Sequence, residues 1–387
     1  MKSPYLVSLC HGGMICVAIV INLYPLYLTI FGVDFGGLNE EQLGRIPALM
    51  FAGIIFGIVV TGPLADRFGV RLFAVAGMAV SAVGLVLVAL AQRYETLLLA
   101  GIVSGSGAGI LDMSMGPLVA AVNTHRRTAA LNRLHAYFCI GGILTVLAVS
   151  GGLHTGLSWR FMAGTLAIFP LLLLVAFAVV PLPALIHPQQ SREGLRVLLR
   201  RPRFLLALTL MALAGATETG MMQWLPAYAE LELGYSKFVG AFALILFSLG
   251  MAGGRLLTSY RLSHLRASTL LIISGIVSAV LLLCAGPFST PAVALTACVL
   301  TGFGCSVLWP TCISDGANLF PLGGASLFAV LTAAGNIGSL AMPWIIGTVA
   351  NASTLSIGVV SATGAPVFLT LLVLAAVAVE KRQRHHC

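Results

Sequence analysis

Charge is what this sequence has least of. Asp, Glu, Lys and Arg make up 9% of its 387 residues, against about 25% in a soluble domain. Acids are scarcer than bases, 12 against 21. With so little polar surface, a water-soluble enzyme, a disordered chain and a coiled coil are all excluded. Alternation of apolar and polar residues with period two is also missing, which excludes an outer-membrane barrel. The eight cysteines form no CxxC and seven fall in apolar stretches, so they read as small buried hydrophobes, with no metal or heme spacing. No Walker motif, HExxH or Ser/His/Asp constellation is present, so ATP drive and enzymatic chemistry are not expected. Gly105-Ser106-Gly107-Ala108-Gly109 lies inside an apolar run without the strand a dinucleotide loop needs, and reads as helix packing by small residues.

Apolar length is what the sequence does have. Hydrophobic residues make up 59%, and a spanning helix takes about 20 of them. Twelve such runs are found, at about 5–31, 43–62, 70–91, 96–122, 129–150, 157–180, 204–229, 236–257, 264–284, 290–315, 323–349 and 354–379. The first is too long for the apolar core of a secretory leader and lacks an A-x-A exit, so it reads as a span. The expected fold is an all-α polytopic membrane protein. The one long connection, Pro181 to Arg203, is rich in proline and arginine. It divides the chain into a six-helix bundle over 1–180, a basic linker over 181–203 and a second six-helix bundle over 204–387. Arg192, Arg196 and Arg200 share one face if the linker is helical, and would lie on anionic headgroups.

The net charge of +9 is a topology signal rather than a nucleic-acid footprint. With both termini cytoplasmic, 17 of the 21 bases fall on the cytoplasmic side, Arg67, Arg71, Arg255 and Arg261 among them. That bias sets the expected orientation in an inner membrane. The expected partners are the lipid bilayer and a small solute, with no nucleic acid and no cofactor.

Two acids fall inside spans, Asp112 in the fourth and Glu218 in the seventh. A carboxylate at such depth is costly unless it faces a cavity or a partner. Asp112 is about ten residues from the inner end of its span, or roughly 15 Å, where a proton site for alternating access would lie. Glu218 is about 21 Å in, between Gly215 and Gly220, which read as loosening a gating helix. It is a candidate second proton site, substrate ligand or sodium ligand. Further pocket candidates, chosen by depth and hydrogen-bonding capacity, are Asn22, Tyr24, Asn132, His135, Gln223, Trp224, Trp309 and Asn336. Amides and carboxylates bond hydroxyls, and an aromatic face suits a sugar ring.

Between spans two and three runs Gly62-Pro63-Leu64-Ala65-Asp66-Arg67-Phe68-Gly69-Val70-Arg71. It resembles the G-x-L-A-D-R-x-G-R-R signature of the major facilitator superfamily. The resemblance implies two six-helix bundles, rocker-switch alternating access, a monomer, and a conformational latch built on Gly62, Asp66, Arg67, Gly69 and Arg71. In the second half, Gly254-Arg255 to Arg261 keeps the glycine and arginines but has no aspartate. Glycines also repeat weakly between halves: Gly141-Gly142 against Gly338, and Gly105, Gly107 and Gly109 against Gly302 and Gly304.

Within that superfamily, Asp112 five residues before Pro117, then Leu131-Asn132, His135 and Gly141-Gly142, are similar to the fucose–galactose–hexose:proton symporter family. That resemblance implies Asp112 as carrier of the coupling proton. Two positions depart from the pattern: Gly116 replaces an asparagine, and span one holds no acid, only His11 and Asn22. The expectation is proton-coupled symport of a small polar solute, a sugar or polyol first. The alternatives are a proton-coupled exporter of a drug or metabolite, a sodium-coupled symporter, and a non-transporting sensor on the same scaffold.

Overall fold

The computed structural model of the chain describes residues 4–122, 127–180, 195–262, 264–320 and 324–385. It divides into two compact units, Met1–Gln190 and Ser191–Cys387. Twelve helices among the described residues are long and apolar enough to cross a membrane, from Tyr5–Asp34 to Leu355–Arg382.

In the first unit the helices are α1 (Pro4–Asp34), α2 (Glu40–Phe68), α3 (Val70–Leu90), α4 (Tyr94–Val122), α5 (Arg127–His154), α6 (Trp159–Leu166) and α7 (Ile168–Val179). In the second, a single turn α8 (Leu195–Leu198) precedes α9 (Pro202–Leu231), α10 (Lys237–Arg261), α11 (Ala267–Cys284), α12 (Pro291–Cys305), α13 (Leu308–Leu319), α14 (Gly324–Ala352), α15 (Leu355–Ser361) and α16 (Gly364–His385).

Helix starts are written in the sequence. Asn39 and Gln42 form a reciprocal capping box at α2, with bonds of 2.9 and 3.0 Å. Ser158, Ser236, Thr290 and Thr354 cap α6, α10, α12 and α15. These side chains take up N–H groups that a helix cannot satisfy itself, at the border of a medium that offers no water. Gly69 alone separates α2 from α3, at φ +86°, a conformation glycine adopts without strain.

Three spans that hydropathy reads as single runs are broken. α6 gives way to α7 at Ala167, α12 to α13 at Ser306 and Val307, and α15 to α16 at Ala362 and Thr363. Pro170, Pro310 and Pro366 follow each break by three or four residues. A proline removes one N–H and crowds the carbonyl four residues before it, which interrupts each helix there.

Glycine decides the close crossings. A side chain at Gly105 or Gly109 of α4 would strike the backbone of Met50 and Ile54 on α2, and one at Gly107 would meet Ser81 on α3. The second unit repeats the arrangement: Gly302 of α12 lies on Phe247 of α10, and Gly304 faces Ser278 of α11. Likewise Gly141 of α5 rests on Ile15 and Ala18 of α1, while Gly338 of α14 rests on Ala212 and Ala216 of α9. The weak glycine repeat in the sequence is therefore a repeat of packing. On the outside of the bundles, apolar stripes such as Ile140, Leu144 and Leu147 on α5 stay exposed, as surfaces that meet lipid do.

Candidate functional site

Asp112 is half-buried on α4. It continues the stripe of Gly105 and Gly109, toward Gly116, at spacings of four, three and four. Among the described residues it has no hydrogen bond and no ion pair, so this acid stands in an apolar span without a cation.

Glu218 is in the opposite situation. Arg255 of α10 donates from one terminal nitrogen to both carboxylate oxygens, at 3.0 and 3.3 Å. The same arginine donates through Nε to the Ser306 carbonyl at 3.1 Å, and its terminal nitrogen touches Met251 Sδ at 3.6 Å. Pro310, four residues beyond Ser306, has no N–H to offer that carbonyl, so the break between α12 and α13 creates the acceptor that Arg255 fills. By sequence alone Arg255 falls among the cytoplasmic-side charges. Its position three residues inside the end of the span Lys237–Thr258 lets a long side chain point back along α10 instead, to Glu218. Gly215 and Gly220, read as loosening α9, are its contact points with α14: they sit against the Gly335 carbonyl and against Met342 and Ile346. Small residues here bring two helices together rather than free one.

The remaining candidates divide between packing and open positions. Asn22 is buried, donates to its own helix at Ala18 O (2.9 Å), and lies over Gly142. Asn336 in α14 does the same with Thr332 O at 2.9 Å. Tyr24 shares a 2.8 Å hydroxyl bond with Ser104 of α4. Trp224 donates Nε1 to Pro343 O of α14 at 2.9 Å, and Gln223 beside it is fully buried. The Trp309 ring lies against Gly335. His135 is exposed at the start of the α5 span. The side chain of Asn132 lies outside the described residues, as do those of Asp66 and Arg67. Of the other motif residues, Gly62 lies within α2, Gly69 is the one-residue turn, and Arg71 donates to Ala178 O of α7 and to Val180 O, the residue that caps it, at 2.5 and 3.3 Å.

The structure thus brings Glu218 together with Arg255, which is not among the site residues expected from the sequence. One signal pointed to it: a basic residue just inside an apolar run, in a protein with a lone acid in the neighbouring span.

The family model described as Major Facilitator Superfamily matches residues 10–343. The chain belongs to that superfamily. This member is therefore a transporter-fold membrane protein and not an enzyme. It is 26% identical over 377 residues to the 3-(3-hydroxy-phenyl)propionate transporter of Escherichia coli K12, covering 87% of this chain and 86% of that one. Among solved structures it resembles the proton:xylose symporter XylE, with a TM-score of 0.77 at 16% identity, covering 96% of this chain and 95% of that one. It also resembles FucP in its outward conformation, with a TM-score of 0.66 at 18% identity, covering 95% and 97%.

Proposed function

We propose that this superfamily member is a proton-coupled symporter of a small hydroxylated solute of the sugar or polyol kind. It would work by alternating access of its two bundles in an inner membrane, as a monomer with both termini cytoplasmic. The observation that carries the reading is Asp112 without a counter-charge. Ionised and away from water, such a carboxylate is strongly disfavoured. It is charged while water reaches it and neutral when the site closes, which ties closure to proton uptake. Asp112 is then the proton carrier. His135, Asn132, Asn22 and Tyr24 of the first unit and Glu218, Gln223, Trp224, Trp309 and Asn336 of the second are the candidate solute-binding groups. Gly62, Asp66, Arg67, Gly69 and Arg71 form the latch that releases when the protein opens inward.

The similarity to a proton:xylose symporter supports a sugar-like solute. The relative named for a hydroxyphenyl propionate supports a hydroxylated solute that also carries an acid group.

The test is proton movement in proteoliposomes loaded with a pH dye. A solute that acidifies the lumen as it enters, with the signal lost in Asp112→Asn, supports symport. Protons moving against the solute make the protein an exporter. Uptake that needs sodium and moves no protons removes the proton reading and keeps a symporter.

A further inference from the structure

The two ionic partners in the second unit are held unequally. Arg255 is anchored without Glu218, because its Nε donates to the Ser306 carbonyl left open by Pro310. Glu218 has Arg255 as its one partner among the described residues. Neither side chain is sealed inside the unit: 24% of the Arg255 side chain and 11% of the Glu218 side chain are exposed. The cation is a fixture of the fold, and the acid is held by the cation alone.

We propose that Arg255 is the binding site for a carboxylate group of the transported solute, and that Glu218 is the resident carboxylate which the solute displaces. The step balances in charge and protons. The solute's carboxylate accepts the N–H bonds that Glu218 gives up. Glu218, left in an apolar span without its cation, takes one proton and becomes neutral. The site holds one cation and one anion before and after. A neutral sugar offers no such exchange, since its hydroxyls cannot neutralise Arg255 and opening the pair would strand the guanidinium charge in the span even with Glu218 protonated. The inference rests on the proposed symport and narrows its solute from a sugar to a sugar acid, a small polyhydroxylated monocarboxylate. It also adds a proton that enters with the solute and is distinct from any carried by Asp112.

Few other ionisable groups bear on Glu218. Arg255 faces it from α10 and Cys305 from the end of α12. α14 and α15 contain none. On α13, Cys312 and Asp315 face one another, and Asp315 faces Glu380 of α16.

The test is equilibrium binding of radiolabelled D-gluconate, D-sorbitol and D-glucose, which share a carbon skeleton and differ at one end. The double change Asp112→Asn/His135→Gln removes the other titrating groups assigned to the solute path, so that Glu218 sets the pH dependence. In that background gluconate affinity should rise by about tenfold per unit fall in pH while Glu218 is ionised in the free site. Adding Glu218→Gln should flatten the dependence and keep gluconate bound. Arg255→Gln should weaken gluconate roughly 100-fold. The double variant Glu218→Gln/Arg255→Gln, neutral at both positions, should elute as the wild type does, and it should also fail to bind gluconate, so that a folded protein reports the loss. Failure of gluconate to bind, sorbitol or glucose binding as tightly, or an unchanged affinity in the folded double variant would each overturn the proposal. Absence of proton movement in wild-type liposomes, with gluconate binding as described, would remove the symport reading and the proton entering on Glu218, and keep Arg255 as the carboxylate site.

Discussion

Arg71 at the start of α3 donates to the carbonyls of Ala178 and Val180, at 2.5 and 3.3 Å, across 107 and 109 residues of sequence. A helix C-terminus leaves its last carbonyls without partners and carries partial negative charge. The last arginine of the signature motif therefore ties span three to the end of span six. Arg71→Ala should destabilise the protein by about 1 kcal/mol, since the site is exposed and water replaces part of each bond. A melting curve of the purified protein should fall by about 2–4 °C, and Arg71→Lys should recover part of it.

Tyr24 tests packing against solute contact. Its buried hydroxyl is engaged by Ser104, so Tyr24→Phe should cost about 1 kcal/mol of stability. In the Ser104→Ala background the second loss should be smaller than the first, a coupling read by a double-mutant cycle. The apparent affinity for solute should stay within twofold. A tenfold change would return Tyr24 to the solute path.

The crossing of α9 and α14 should tolerate nothing larger than glycine. A methyl group at Gly338 would meet the Ala212 carbonyl, and one at Gly215 the Gly335 carbonyl. Neither obstacle is a side chain that can turn away. Either Gly→Ala change should cost about 3 kcal/mol or more, visible as loss of folded protein in size-exclusion chromatography. Gly253→Ala, with open space around it, should leave the elution profile unchanged.

Pro310→Ala returns an N–H to the turn and lets the helix claim the Ser306 carbonyl. Removing an interior proline should hold stability constant or raise it, by up to about 3 kcal/mol. Arg255 would then lose its anchor. The expected result is a protein that melts no lower than the wild type yet transports more slowly, measured as initial uptake in proteoliposomes.

The twelve spans were legible because each is a run of apolar residues at the length a bilayer demands, and because polar groups cluster at their ends. The breaks at Ala167, Ser306 and Ala362 were not read, since hydropathy averages over a proline as over any other residue. The proline rule would have placed them. Asp112 and Glu218 stood out as ionisable residues inside apolar runs. Arg255 did not, because a span's last turns are where basic residues ordinarily mark the membrane border, and only the reach of its side chain distinguishes it. Asn22 and Asn336 look alike in sequence and behave alike in the fold: each returns its amide N–H to a carbonyl four residues back. That bond depends on no neighbouring helix, so a count of polar residues by depth cannot tell it from a pocket ligand.

The tie between Arg71 and the end of α7 also sets an order of events during synthesis. The first unit packs its beginning against its end: α1 lies on α5, and α3 lies beside α6 and α7. The first pairing needs residues up to His154, and the last needs those near 180. α2 and α3, joined through Gly69 alone, can meet α4 as soon as it emerges. The nascent chain would thus hold an intermediate of spans one to four, with α1 joined to α4 through Tyr24 and Ser104, before the fifth and sixth spans close the bundle and Arg71 finds its carbonyls.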